Sequence, residues 1–442
     1  MLAFGILLLL LLSLTPYTMG WGHNWKQVVD RVMVSTETAT ARPEEPAAAQ
    51  PASTPPFDAA VWYASRGEAP EAHGLLIESL DGTRVYASHN ADEAFNPASL
   101  IKLSTTLVAL RRLGADYRFH TRVLADGAID GSGNFKGELT VIGDDPTFGD
   151  VGANLIANEL RARGVKKLTG QLNVSSDFSF NFSESPEKSA EYLAKAMRLG
   201  NPKTGVVEEP AADAPLLLTL NSYPLHDVLL YMNARSSNFI AERVGGMVGG
   251  SQSVERFLID EVKLPPTEVS IERVSGREHN RMTPRGLLKV IRALLEEIKR
   301  QGLEVTDIMP VASDDAGTLR RRFTGTDLEG AVVGKTGTLT PEVDGGMASI
   351  AGLVYTEAGE PLLFAILDQG NRIGDNRQME DQLLAEVCNT VARPRSIGGP
   401  TPRPLLPSAD LQLQPEAAAT LKPQEEEKSP PREKSAPRKP AR

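Results

Sequence analysis

The sequence predicts an α+β protein: one mixed antiparallel sheet with helices on both faces, carrying a small inserted α/β module. Three observations lead there. Strand-like segments with tight turns both open and close a body running from about Phe57 to Ala392. Helical periodicity fills most of the interval between them, so one sheet closed by the two ends of the body is expected. One internal stretch, residues 123–215, changes texture, with strands flanking a helix of its own.

The elements follow in chain order. Residues 1–20, MLAFGILLLLLLSLTPYTMG, carry an apolar run from Leu2 to Leu14, shorter than the ~20 residues that span a bilayer. Thr18 and Gly20 form a cleavage pair, and a secretory signal is expected, with an uncleaved anchor as the alternative because the first basic residue is Lys26. An exported protein, periplasmic or otherwise outside the cytoplasmic membrane, follows. Residues 21–56 become rich in Ala, Pro, Thr and Glu from Ser35 onward, too poor in apolar surface to order themselves, and predict a flexible tether.

The main domain is expected over 57–122 and 216–392. It opens with GLLIESL, a turn at Asp81-Gly82 and RVYAS, a hairpin pattern that ASIAGLVYT and LLFAIL repeat near its end. A last helix is expected from about Asp375 to Val391. Within the insert, GELTVIG and GQLNVSS read as strands around the helix GANLIANELRARG. Residues 393–442, dense in Pro and in charges of both signs, predict a disordered tail.

A formal net charge of −10 argues against nucleic-acid binding, which needs a basic face. The single cysteine, Cys388, excludes an internal disulfide and reads as a packing residue beside Leu384 and Val387. None of the six histidines has H-x-H or H-E-x-x-H spacing, so no metal and no cofactor is expected.

Three short motifs bear on chemistry. FNPASLIKLSTTLVALRRLG reads as a helix capped by Asn96, with Pro97 in its first turn and Gly114 ending it. Ser99 and Lys102, at i and i+3, share a face near the N-terminus, where free N–H groups favour a developing oxyanion. A serine hydroxyl is a poor nucleophile until a base takes its proton, and a desolvated lysine with a pKa of roughly 7–8 is such a base. The pattern alone is weak: Ser185 to Lys188 repeats it.

In HDVLLYMNARSSNFIAERVGG a polar break between two helices holds Ser236, Ser237 and Asn238. A hydroxyl and a carboxamide there can face one cleft, although helix capping explains the same residues. Lys-Thr-Gly occurs twice. Lys335-Thr336-Gly337, followed by Thr338, lies among β-favouring residues, so Lys335 and Gly337 should face one way and Thr336 and Thr338 the other; Gly337 would let a substrate approach the strand closely. Lys203, after Asn-Pro, reads as a loop, and the later copy is preferred.

Ser-x-x-Lys on a helix, Ser-x-Asn in a loop and Lys-Thr-Gly on a strand, in that order, form the motif set of penicillin-recognising serine acyltransferases. The flanks NADEAFNPASLIKLSTTLVALRRLGADYRFHTRV, GELTVIGDDPTFGD, MNARSSNFIAE, PVASDDAGTLRRRF and VVGKTGTLTPEVDGGMASIAGLVYT resemble the D-alanyl-D-alanine carboxypeptidase/endopeptidases among the low-molecular-mass penicillin-binding proteins. The resemblance implies a β-lactamase/transpeptidase-like fold with an all-helical subregion, and peptidoglycan stem peptides as substrates with β-lactams as inhibitors. It implies catalytic roles for Ser99 as nucleophile, Lys102 as base and Ser236 as proton relay. Asn238, Lys335, Thr336, Gly337 and Thr338 would bind substrate, and the N–H groups of Ser99 and Thr338 would form the oxyanion hole. A β-lactamase and a non-catalytic wall-binding protein are the competing readings.

The interval from Ser99 to Ser236 is short for that family, and SGREHNRMTP leaves open whether Arg277, Arg281 or neither fills an expected arginine position. Asp145 is a candidate for reading a substrate amine or for a turn before Pro146. Arg320 to Arg322 read as salt-bridged surface arginines, with attraction of an anionic wall polymer as the alternative.

Overall fold

The structure, a computed structural model, describes residues 55–208, 214–399, 403–416 and 421–423. The expected signal and nearly all of the tether, residues 1–54, lie outside the described residues, as does the end of the tail.

Helix α1 (Ala59–Ser65) begins where Asp58 Oδ1 accepts from Val61 N at 3.0 Å, an N-cap. Strands β1 (His73–Ser79) and β2 (Val85–His89) form the expected hairpin, its turn made by Gly82 at φ 75°. A 3₁₀ turn, Ala98–Leu100, runs into α2 (Ile101–Leu113), which ends at Gly114 with φ 86°. The stripe Leu100, Leu103, Leu107 and Leu110 is buried.

The chain then builds a second lobe from β3 (His120–Ile129), β4 (Asn134–Ile142), α3 (Asp150–Ala162), β5 (Lys167–Leu168), β6 (Gln171–Ser175), α4 (Pro186–Met197), β7 (Lys203–Val207) and β8 (Leu216–Asn221). β4, β6 and β7 pair in parallel, because α3 and α4 serve as crossovers between them. Both helices bury an apolar face on this sheet, with Phe148, Ile156, Ala190 and Leu193 against Val141, Leu172 and Val174. β3 and β8 pair antiparallel from His120↔Asn221, so the second sheet uses residues on either side of 123–215.

Four helices follow: α5 (Leu225–Arg235), α6 (Asn238–Met247), α7 (Gly250–Asp260) and, after the short pair β9 (Val269–Ser270) and β10 (Arg281–Met282), α8 (Pro284–Arg300). With α2 they form the helical subregion, cored by Leu107, Val228, Met232, Val244, Leu258 and Ile291. The body closes with β11 (Val332–Leu339), β12 (Met347–Val354), β13 (Leu362–Gln369) and α9 (Ile373–Val391). The first sheet has the order β11-β12-β13-β1-β2, joining the two ends of the body as expected.

All four strand pairings in this sheet are antiparallel; among the described residues parallel strand pairs occur in the second sheet, and the first has a single parallel bridge, Phe57↔Ala87. One face, with Ala351, Leu363 and Ala365, meets the helical subregion, and the other, with Leu75, Ile350 and Phe364, meets α1 and α9. Burial on both sides explains why β12 is apolar except at Ser349 rather than alternating. Cys388 is buried in α9, a packing residue as its neighbours suggested.

Two expectations are corrected. Lys203 opens a strand, not a loop: β7 pairs with β6 through Gln171↔Lys203. The tail is structured in part, since β14 (Gln412–Pro415) pairs with β8 and β15 (Lys422–Pro423) with β3. The open edge of β8 recruits this segment, as an unpaired edge strand does when one is near.

Candidate active site

Ser99 owes its position to the turn before α2. Asn96 Oδ1 accepts from Ala98 N at 3.1 Å, and Ala98 takes φ 52°, a left-handed conformation that non-glycine residues hold only when their surroundings impose it. Pro97 O is fixed by Ser349 Oγ at 3.0 Å. Asn96 is not the expected helix cap: Pro97 is the N-cap of a 3₁₀ turn containing Ser99, without a side-chain cap hydrogen bond, and Asn96 shapes the approach to it through an Asx-type turn.

Lys102, one turn on, is wholly buried. Its Nζ donates to Ser99 Oγ at 3.0 Å, Asn238 Oδ1 at 2.7 Å and Ser275 O at 2.5 Å. Burial pushes its amine down to about 7, against the pull of the Glu242 carboxylate and with help from Arg277. A lysine tuned this way can accept a proton from the hydroxyl it touches.

Ser236 and Asn238 sit where α5 hands over to α6. Ser236 is the C-cap of α5 at φ 53°, and Ser237 is the N-cap of α6, its side chain accepting from Ile240 N. The capping reading and the chemical one thus divide between adjacent serines: Ser237 caps, and Ser236 is left to face Lys335. Asn238 is the first residue of α6 rather than a loop residue. Lys335 Nζ donates to Ser236 Oγ at 2.9 Å and to Thr336 O at 2.5 Å. Burial first, and the charge of Lys102 second, hold the Lys335 amine well below the usual lysine range. Two buried amines, each on a serine hydroxyl, disfavour simultaneous protonation.

On β11 the alternation is as expected. Lys335 is buried, while Thr336 and Thr338 line a cavity of about 860 Å³ together with Ser99, Ser236 and Asn238. Thr336 Oγ1 donates to Thr318 Oγ1 at 2.6 Å, and Thr338 Oγ1 donates to Gly337 O and accepts from Arg377 Nη2, each at 2.7 Å. Gly337 has a different use from the one expected. A Cβ there would lie 2.2 Å from Ser349 Oγ, 2.7 Å from Pro97 O and 2.9 Å from Ala98 Cβ. The space that glycine frees is filled by the turn carrying Ser99, not left for a substrate.

The repeated motifs separate cleanly. Ser185 Oγ accepts from Lys188 N at 3.2 Å as an ordinary N-cap of α4, and Lys203 is exposed on β7. Asp145 accepts from Thr147 N and Oγ1 at 2.8 and 2.6 Å, the turn-forming role. Arg281 pairs with Asp344 at 2.7 Å, whereas Arg277 acts on Lys102 through charge. Arg322 is the buried partner of Glu380 and Asp381, but Arg320 and Arg321 are exposed and line the cavity without ion pairs among the described residues.

Sequence reasoning gave no role to Thr318, Ser275, Glu242 or Arg377. Thr318 and Ser275 lie in the quoted segments PVASDDAGTLRRRF and SGREHNRMTP, where a signal existed. Arg377 is one charged residue among many on α9 and carried none. Among the described residues, no group of three His, Cys, Asp or Glu could hold a metal ion.

A model of the D-Ala-D-Ala carboxypeptidase 3 (S13) family matches residues 64–192 and 178–389. A D-alanyl-D-alanine carboxypeptidase of Actinomadura sp. is 34% identical over 98 residues, 22% of this chain and 18% of that one; the match spans less than a fifth of that relative. A predatory peptidoglycan endopeptidase from Bdellovibrio bacteriovorus superposes with a TM-score of 0.65 at 21% identity, covering 78% of this chain and 98% of that one. The same endopeptidase acylated by penicillin G, in complex with an immunity protein, gives 0.64 at 21% identity over 78% and 99%. Penicillin binding protein 4 from Haemophilus influenzae gives 0.56 at 17% identity over 70% and 96%. These likenesses establish the penicillin-binding-protein-like fold.

Proposed function

The chain belongs to the D-Ala-D-Ala carboxypeptidase 3 (S13) family, and on that premise we propose that it is a serine-type D-Ala-D-Ala carboxypeptidase acting on peptidoglycan stem peptides. Cleavage of cross-links by the same chemistry is part of the proposal. The observation that carries it is the contact between Ser99 Oγ and the buried Lys102 amine, 3.0 Å long, with that amine driven to about 7.

In this reading neutral Lys102 takes the Ser99 proton as Oγ attacks the carbonyl of the penultimate D-Ala. The N–H groups of Ser99 and Thr338 meet the oxyanion, where losing one donor typically costs roughly 10²–10³ in rate. The C–N bond breaks, and the leaving amine takes a proton through Ser236, which Lys335 holds at 2.9 Å. Asn238 orients the substrate amide, and Thr336 and Thr338 face the carboxylate of the leaving residue. With the Ser99 proton passed through Ser236 to the amine, Lys102 is neutral again; water attacks the ester, giving a proton to Lys102, which returns it to Ser99 Oγ as the ester C–O bond breaks. A β-lactam would take the same path as far as the ester. The substrate places the enzyme outside the cytoplasmic membrane; no helix of the described residues is long and apolar enough to cross one.

The test is labelling of wild type and Ser99→Ala with a fluorescent penicillin, with the labelled peptide mapped by mass spectrometry. Label on Ser99 in wild type and none in the variant is the expected result. No adduct on wild type even at early times would overturn the proposal.

A further inference from the structure

We propose that the arginines around Ser99 make the cavity selective for leaving fragments that carry two or more carboxylates, with Arg320 and Arg321 as specificity-determining residues. The inference rests on the acyl-transfer reading above. Five arginines line the cavity, Arg235, Arg320, Arg321, Arg322 and Arg377, and no Asp or Glu does. In a chain of net charge −10, this local excess of positive charge does not follow from composition.

Only Arg322 is neutralised. It turns inward to Glu380 at 2.8 Å and to Asp381 at 2.8 and 2.9 Å. Among the described residues Arg235, Arg320, Arg321 and Arg377 have no carboxylate partner, and all four are exposed. Clustered guanidiniums repel one another, and walls of low dielectric concentrate their field on whatever enters.

The cluster is also braced. Gly317 lies against Ala234 O, where a Cβ would come within 2.1 Å, and Thr318 N donates to Ala234 O at 2.9 Å. These contacts fix the segment bearing Arg320 and Arg321 to the end of α5, next to Arg235. Arg322 Nη2 donates to Arg377 O at 3.1 Å, tying the same segment to α9. Arg377 in turn reaches Thr338, so the cations surround the side of the cavity assigned to the leaving residue.

One carboxylate is matched by the threonine hydroxyls and a single guanidinium, which leaves the other cations uncompensated. An acidic peptide, joined to the scissile carbonyl through its amine and bringing further carboxylates, would neutralise them. A lone D-Ala would not.

The test uses substrates with one acyl part and three leaving groups: D-Ala, an acidic tripeptide with three carboxylates, and that tripeptide amidated to leave one. For wild type at low salt, kcat/KM for the acidic tripeptide should exceed that for its amidated form by roughly 10-fold or more. The advantage should shrink towards one at roughly 0.5 M NaCl, where screening is short-ranged. It should vanish in the Arg320→Gln/Arg321→Gln double variant and persist in Arg320→Lys/Arg321→Lys. Equal kcat/KM for acidic and amidated forms in wild type overturns the inference without needing any variant, as does a preference unchanged in a folded Gln variant. Penicillin labelling of the same wild-type sample separates the two levels. Labelled enzyme with no charge preference overturns only the arginine assignment; enzyme that neither labels nor cleaves overturns the acyl-transfer reading and this inference with it.

Discussion

Acylation of Ser99 should fade as the pH falls through 7, and two single-charge changes should move that limb in opposite directions. Burial holds the Lys102 amine at about 7. A group with that pKa is roughly 90% neutral one unit above and roughly 10% neutral one unit below. The acylation rate constant should therefore drop about tenfold between pH 8 and pH 6, and about ninefold more by pH 5. An unperturbed lysine base would instead make the rate climb about tenfold per unit through pH 9. Glu242 favours the ammonium form and Arg277 disfavours it. Glu242→Gln should accordingly shift the limb to lower pH, and Arg277→Gln to higher pH.

Gln at 242 keeps an acceptor for Ser275 N, which Glu242 holds at 3.3 Å, so the site should survive the change. The assay is the second-order rate constant for reaction with a reporter penicillin from pH 5 to 10 at constant ionic strength. Lys335 is also depressed, but by burial and by Lys102, with neither Glu242 nor Arg277 among the causes; opposite shifts in the two variants therefore assign the limb to Lys102. A limb that stays put in both, or moves the same way in both, refutes Lys102 as the base.

Lys335→Ala should nearly abolish penicillin acylation, whereas Lys203→Ala, on the exposed strand β7, should leave it near wild type; the reverse would exchange the roles of the two Lys-Thr-Gly copies. Gly337→Ala should cost about 1–3 kcal/mol in urea denaturation by overpacking and slow labelling as well, because its methyl would press on Ser349 Oγ and Pro97 O; unchanged stability would mean that β11 and the Ser99 turn are not in contact. Arg322→Ala should cost about 1–3 kcal/mol, since it strips the hydrogen-bond partner from the buried Glu380, whose carboxyl burial pushes up to about 8 so that it takes a proton rather than staying charged; a loss under about 0.5 kcal/mol in the same measurement would count against a buried contact there.

What the sequence made legible was local or ordered along the chain. The helix carrying Ser99 and Lys102 declared itself through Asn96, Pro97, Gly114 and a leucine stripe. The sheet declared itself through hairpin patterns at both ends of the body. The secondary-structure reason for preferring Lys335 over Lys203 does not hold, because both residues lie on strands. What separates them is that Lys335 is buried with its amine on Ser236 Oγ while Lys203 is exposed, a property of packing that three residues cannot encode. Gly337 was read for its lack of a side chain, and the close neighbour was guessed wrongly for the same reason.

Thr318, Ser275 and Arg377 reach the site from segments far apart in sequence, and each is of a type that decorates surfaces everywhere. The strand Gln412–Pro415 escaped notice because its pairing depends on the edge that β8 leaves open, not on its own alternation.

The pairing His120↔Asn221 has a further consequence. Just outside it, Phe119 N donates to Ser222 Oγ and Ser222 N to Phe119 O, each at 2.9 Å. The chain departs from the helical subregion and comes back to it through one doorway. Whatever is strung between those two residues behaves as cargo on a closed loop, and doubling such a loop costs only about 0.6 kcal/mol in closure entropy. Insertions into the loops between residues 121 and 220 should therefore be tolerated while the distances among Ser99, Lys102 and Ser236 stay as they are. Exchange of the whole stretch asks more: the clasp at Gln412–Pro415 must leave with the strand it grips, and the contacts of Phe182 with Tyr231 and Phe239 and of Asp177 O with Arg243 must be replaced.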